Sequence, residues 1–148
     1  MKVYIKNCQR LLKVNQQRIK SLLRKALRLL GLHKAELSIL FVNDRRMRIL
    51  NRQYRGVDRT TDVLSFPQIE YSSQLSALSS QQFVLGDIII NLHQAKRQAS
   101  EYGHTFNEEL KKLLIHGLLH LIDYDHEKSR YRKNKMERKE KELLKAIR

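Results

Sequence analysis

Cysteine is almost missing from this sequence: Cys8 stands alone. A single thiol excludes an intramolecular disulfide and any cysteine-based zinc site, and it fits a reducing compartment. Long apolar runs are missing too. Stretches such as residues 37–42 fall far short of the roughly 20 apolar residues that a bilayer-spanning helix needs. Residues 1–10 alternate polar and apolar side chains without an apolar signal core. A soluble, cytoplasmic protein with no membrane association is expected. Proline occurs once, at Pro67, and no internal repeat or linker-like stretch divides the chain. Its 148 residues are expected to form one domain over positions 1–148, long enough to bury a substantial core.

Acidic residues are scarce: 15 Asp and Glu stand against 30 Lys and Arg, a formal charge of +15. Residues 1–60 hold 16 basic and 3 acidic side chains, residues 61–127 hold 4 and 9, and residues 128–148 hold 10 and 3. Two basic flanks thus enclose an acidic middle. Such flanks suit a polyanion that is held while one bond is attacked, and nucleic acid is the natural candidate. A merely solubilising lysine surface is the plainer alternative.

What the sequence does have is histidine in one place. Three of its six histidines, His116, His120 and His126, fall within eleven residues. His116 and His120 are spaced i, i+4 in a strongly helical segment, which advances about 400° around a helix and about 6 Å along it. Both imidazoles therefore project from one face. His126 follows a pair, Asp123-Tyr124, suited to ending the helix and folding the chain back. Three neutral imidazoles from a helix and its returning loop are a usual ligand set for Zn²⁺, with the fourth position open to water, as in catalytic sites. Nickel and cobalt also suit imidazole ligands. In zinc peptidases of the His-Glu-x-x-His type a glutamate beside the first histidine is the general base; here that position is Gly117. The spacing is kept and that base is lacking.

Periodicity arranges the rest. Residues 2–7 alternate as a strand. Residues 15–30 form an amphipathic helix with Ile19, Leu22, Leu23, Ala26 and Leu30 as its apolar stripe, ended by Gly31. Residues 36–43 read as a buried strand, after which Asp44 is placed as the N-cap of a helix running to about residue 54 and broken by Gly56. Residues 63–66 make a short strand closed by Pro67. Residues 68–82 contain five serines and four glutamines without a clear period; a plain surface insertion is favoured there over a lid. Residues 84–91 are a strand whose triple isoleucine implies burial on both faces. Residues 92–102 form a helix, and Thr105 to Glu108 give a capping box for the histidine helix. Gly117 inside that helix implies the close approach of another backbone or space beside a metal, since it costs about 1 kcal/mol against alanine. Residues 129–147 form a basic helix anchored by Met136, Leu143, Leu144 and Ile147. The order βαβαββααα predicts an α+β fold, with a small mixed sheet of about four strands packed against five or so helices.

The histidine stretch resembles the signature of the YbeY family, bacterial single-zinc endoribonucleases that mature ribosomal RNA. The resemblance extends, in order, to Asn51-Arg52-Gln53-Tyr54-Arg55-Gly56, to Thr61-Asp62-Val63-Leu64-Ser65-Phe66-Pro67 and to Leu85-Gly86-Asp87-Ile88. Met136 and Glu140 fit its C-terminal pattern, and the match spans residues 35–145. Thr60 stands where the family usually has proline, and Asp123 where it usually has glycine; aspartate tolerates the left-handed conformation such a turn needs.

The resemblance implies a zinc-dependent endoribonuclease that cleaves single-stranded RNA. It implies a role in ribosomal RNA maturation, at the small-subunit 3′ end, and in ribosome quality control. Ribosomal RNA and ribosomal subunit or assembly proteins are the implied partners. His116, His120 and His126 would hold one zinc ion per chain, and Arg55, matching the family's Tyr-Arg motif, would engage phosphate oxygens through its guanidinium fork. Arg55 and His116 are thus the implied catalytic residues. Zinc lowers the pKa of bound water toward about 7, although the RNA's own 2′-hydroxyl is an equal candidate nucleophile. Asp123 and Asp125 could orient ligand imidazoles or serve the turn. Asp62, Ser65 and Asp87 match family motifs yet suit purely structural roles, and His33, His93 and His104 are assigned no ligand role. Two other readings stay open: a ribosome-assembly RNA-binding protein with a structural metal, and another metal hydrolase of the same fold.

Overall fold

The computed structural model describes residues 1–68, 81–122 and 130–147, with only the backbone described over residues 130–133. Most of the serine- and glutamine-rich stretch, residues 69–80, lies outside the described residues, as does the lid question. Among the described residues nine elements follow in chain order: β1 (Lys2–Asn7), α1 (Gln16–Leu29), β2 (Ala35–Val42), α2 (Asp44–Arg55), β3 (Val63–Pro67), β4 (Phe83–Asn91), α3 (Leu92–Tyr102), α4 (Phe106–Leu121) and α5 (Arg130–Ala146). The order βαβαββααα is the expected one, and the fold is α+β.

The four strands form one mixed sheet in the order β1-β2-β4-β3. β1, β2 and β4 run parallel, and β3 pairs antiparallel with β4 at the edge. An edge place is where Pro67, which has no N–H for a second partner, can be tolerated. Alternation of side chains divides the sheet into two faces. Val3, Leu37, Ile39, Phe41, Ile88 and Ile90 face the large core, where Leu23, Leu27, Leu92, Leu114, Ile115, Met136 and Leu143 pack on them from α1, α3, α4 and α5. Leu40, Val42, Leu64, Phe66 and Ile89 face the other way and pack with Met47 and Leu50 of α2. Ile88, Ile89 and Ile90 are all buried, as their consecutive placement implies for a strand covered on both faces.

Helix ends obey their capping chemistry, with one correction. The N-cap of α2 is Asn43, not Asp44: the Asn43 side chain accepts from the Arg46 N–H. Asp44 is instead the first helical residue, and its carboxylate is taken by Arg97 and Asn91. The C-cap of α2, Gly56, adopts φ 71°, a left-handed turn that glycine enters without a Cβ penalty. Thr105 and Glu108 form the reciprocal capping box at the start of α4, which fixes where the histidine helix begins.

Candidate active site

His116 and His120 lie in the last turns of α4 and are half-buried. Their Nε2 atoms are 3.0 Å apart and their ring centroids 4.6 Å apart. Two imidazole nitrogens at about 2.05 Å from a tetrahedral zinc ion would stand about 3.3 Å apart, so the pair already converges as a two-nitrogen claw. Nδ1 of His116 faces Glu140 Oε2 of α5 at 3.5 Å. Metal-bound histidines commonly direct their second ring nitrogen to a carboxylate in this way, which leaves the other nitrogen for the metal. Glu140 is nearly enclosed, with 12% of its side chain exposed, and its Oε1 is buried with no hydrogen-bond partner among the described residues. The donor set and its carboxylate support fit an imidazole-bound metal.

The third expected ligand, His126, lies outside the described residues, as do Asp123 and Asp125. Among the described residues no group of three or more His, Cys, Asp or Glu side chains could hold a metal ion. The described part of the site is therefore the histidine pair and Glu140.

Sheet and helix are locked together behind the pair. Ser65 of β3 donates its hydroxyl to the Gly117 carbonyl at 3.0 Å. A Cβ on Gly117 would come within 2.8 Å of Ile88 Cγ2 and within 3.3 Å of both Ser65 Oγ and Val63 Cγ2. The glycine lets α4 lie directly on β3 and β4, and the space it frees is filled by strand side chains. Gly86 makes a second close approach: at φ 151° its added Cβ would meet the Phe66 carbonyl oxygen at 2.5 Å and Leu121 Cδ2 at 2.9 Å. Both glycines seat the end of α4 against the β3–β4 edge of the sheet.

Other expected site residues are placed as follows. Arg55 is exposed in the last turn of α2, next to the Gly56 cap. Asp62 accepts from the Val63 N–H and from Gln98 Nε2, which also donates to buried Glu109. Asp87 lines a groove on the α2 side of the sheet. Thr60, where the resemblance leads one to expect proline, accepts from Asn91 Nδ2 at 2.9 Å; the same amide donates to Asp44 at 2.8 Å. Sequence reasoning gave no role to Glu140. Its signal was its fit, with Met136, to the C-terminal pattern of the YbeY family, which by itself named no partner for the carboxylate.

An α+β fold with a carboxylate-supported histidine pair at the end of a helix marks a candidate hydrolase. A model of the Endoribonuclease YbeY family matches residues 4–148, and the chain belongs to that family of endoribonucleases. Among its relatives is the endoribonuclease YbeY of Pelotomaculum thermopropionicum, 49% identical over 111 residues, which span 75% of this chain and 71% of that one. Another is that of Aquifex aeolicus, 39% identical over 135 residues, covering 91% and 85%. The solution structure of TM1509 from Thermotoga maritima superposes with a TM-score of 0.68 at 26% identity, over 98% of this chain and 88% of that one. Among the described residues no helix is long and apolar enough to cross a membrane.

Proposed function

We propose that this chain is a zinc-dependent endoribonuclease that cleaves single-stranded RNA in the cytoplasm. Its place is in ribosomal RNA maturation, including the small-subunit 3′ end, and in ribosome quality control, with ribosomal RNA and ribosomal subunit or assembly proteins as partners. The observation that carries the reading is the convergence of His116 and His120 at 3.0 Å, backed by Glu140, in a chain of an endoribonuclease family.

His116, His120 and His126 would hold the metal. When bound, zinc supplies Lewis acidity toward water or a phosphate oxygen. Glu140 holds the His116 ring by its Nδ1 edge and keeps Nε2 turned to the ligand position. Arg55 offers two parallel N–H donors to the oxygens of the scissile phosphate, whose charge grows as the bond is cleaved. Exposed Arg18, Arg24, Lys25 and Arg28 on α1, with Arg45 and Arg46 on α2, hold the flanking phosphates in a salt-dependent manner.

The test is elemental analysis and RNA cleavage with wild type beside His120→Ala. One zinc per chain in the wild type, lost together with cleavage in the variant, is the expected result. Cleavage at the wild-type rate by a verified metal-free variant would overturn the proposal. RNA binding without cleavage at every zinc loading would instead identify an assembly factor with a structural metal.

A further inference from the structure

The sheet face that α2 covers only in part holds an open groove of about 660 Å³. One cross-strand row forms its floor: Tyr4 pairs with Ser38, Ser38 with Asp87, and Asp87 with Phe66. Aromatic rings therefore stand at both ends of a row whose middle is small and polar. With strands about 4.8 Å apart, the two ends are about 14 Å apart. Tyr54 of α2 rises beside Phe66, ring centroids 5.2 Å apart and edge to face. Tyr4 is 52% and Tyr54 59% exposed, large values for aromatic side chains on a partly covered sheet. Neither ring belongs to the buried cluster on either face of the sheet.

Cations border this trough on both sides. Lys2 and Lys6 are exposed on β1, where they share the face of Tyr4, and Arg52 and Arg55 are exposed in the last turn of α2 around Tyr54. Lys2 lies 3.9 Å from Glu36; Asp87 is the one acidic side chain of the aromatic row. Aromatic faces between two lines of positive charge are what an unpaired nucleic acid strand requires: rings on which bases stack and cations that follow the backbone. Ser38 and Asp87 add a hydroxyl and a carboxylate that can meet base edges. A duplex, whose bases are already stacked, could use the cations but not the rings.

The groove and the histidine helix lie on opposite faces of the sheet and share its edge strand β3. Ser65, hydrogen-bonded to Gly117 of the histidine helix, and Phe66, in the groove, are consecutive on edge strand β3. A strand lying along the row thus leaves the groove over β3, the edge strand whose opposite face carries the histidine helix.

We propose that Tyr4, Tyr54 and Phe66 form a base-stacking subsite that holds single-stranded RNA on the sheet face opposite the histidine helix, across edge strand β3. This rests on the endoribonuclease reading and adds a substrate-positioning surface to it. The test measures the affinity of the zinc-loaded protein for a labelled, 2′-O-methylated single-stranded oligoribonucleotide and for an abasic oligonucleotide of equal length and charge. Tyr54→Leu and Tyr4→Leu should each weaken binding of the first by about ten-fold and leave the second unchanged, whereas Tyr54→Phe should bind as wild type does. Equal losses on both oligonucleotides, or no loss in either leucine variant while the wild type binds, would overturn the subsite and leave the endoribonuclease reading standing. The second of these outcomes is also what a groove built for a protein partner gives. A wild-type protein that neither binds the oligonucleotide nor cleaves RNA would overturn both.

Discussion

Glu140 Oε2 lies 3.5 Å from Nδ1 of His116, so the last helix of the chain reaches back to orient a side chain of the histidine helix. The contact joins two elements whose apolar side chains, Met136 and Leu143 among them, also share one core. A carboxylate there selects the tautomer with the proton on Nδ1 and stiffens the ring. Replacing Glu140 by Gln keeps the shape and removes the charge. Zinc affinity should then fall by about 10- to 100-fold, read by competition with a chromophoric chelator, while circular dichroism shows a folded protein. An unchanged affinity would reduce the contact to a packing feature.

Why this pairing was not legible in the sequence is a matter of range. The spacing of His116 and His120 is a local property: a helix brings i and i+4 together whatever surrounds it. The capping box of Thr105 and Glu108, the glycine end at Gly56, and the alternation of β1 are local in the same sense, so the elements could be placed before their packing was known. Glu140 meets His116 only because α5 lies on α4, and no period announces that. Asn43 and Asp44 show the same limit in miniature. Both are good N-cap residues, and the choice was made by Arg97, more than fifty positions away, which draws the Asp44 carboxylate out of a capping role. For Gly117 the expected close approach is present, but side chains of Ile88, Val63 and Ser65 make it rather than another backbone.

Gly117→Ala sets two effects against each other. Alanine in a helix interior gains about 1 kcal/mol over glycine. Against this, the new Cβ would sit 2.8 Å from Ile88 Cγ2, and Ile88 is fully buried in a central strand. Overpacking of a filled core costs about 1–3 kcal/mol, and the same methyl crowds the Ser65 hydroxyl bonded to the adjacent carbonyl. The clash should win, and the variant should melt several degrees lower. A melting temperature above wild type would show that α4 can lift from the sheet without loss.

Asp44 ties acid stability to a surface junction between α2 and α3. Arg97 binds it with a guanidinium fork, at 2.8 Å through Nη1 and 2.6 Å through Nη2, and holds its carboxyl at about 2 against an ordinary 3.8. A carboxyl whose pKa is lower in the folded than in the unfolded state favours folding when ionised. That contribution is complete above the unfolded value and fades as pH falls from about 4 through 2. The side chain is 39% exposed, so solvent screening limits the effect to about 1 kcal/mol. Asp44→Asn should be less stable than wild type by that amount at pH 7, and the two denaturation midpoints should converge as pH approaches 2. A gap that stays constant with pH would assign the difference to packing rather than to charge.

Arg55 offers the sharpest separation of binding from chemistry. It is exposed at the C-terminal end of α2, so truncation removes no core contact, and surface changes of this kind usually shift stability by less than about 0.5 kcal/mol. Lysine at the same position keeps the charge but loses the planar fork that grips two phosphate oxygens together. If Arg55 stabilises the charge that develops on the scissile phosphate, Arg55→Ala should lower the cleavage rate by about 100- to 1,000-fold. Arg55→Lys should recover only part of that loss. Zinc content and melting temperature should be those of wild type in both variants. The ratio of the two rates is the informative quantity: equal rescue by lysine would make Arg55 a simple contributor to the basic field, and an unaffected alanine variant would remove it from the catalytic set while leaving the histidine site as it stands.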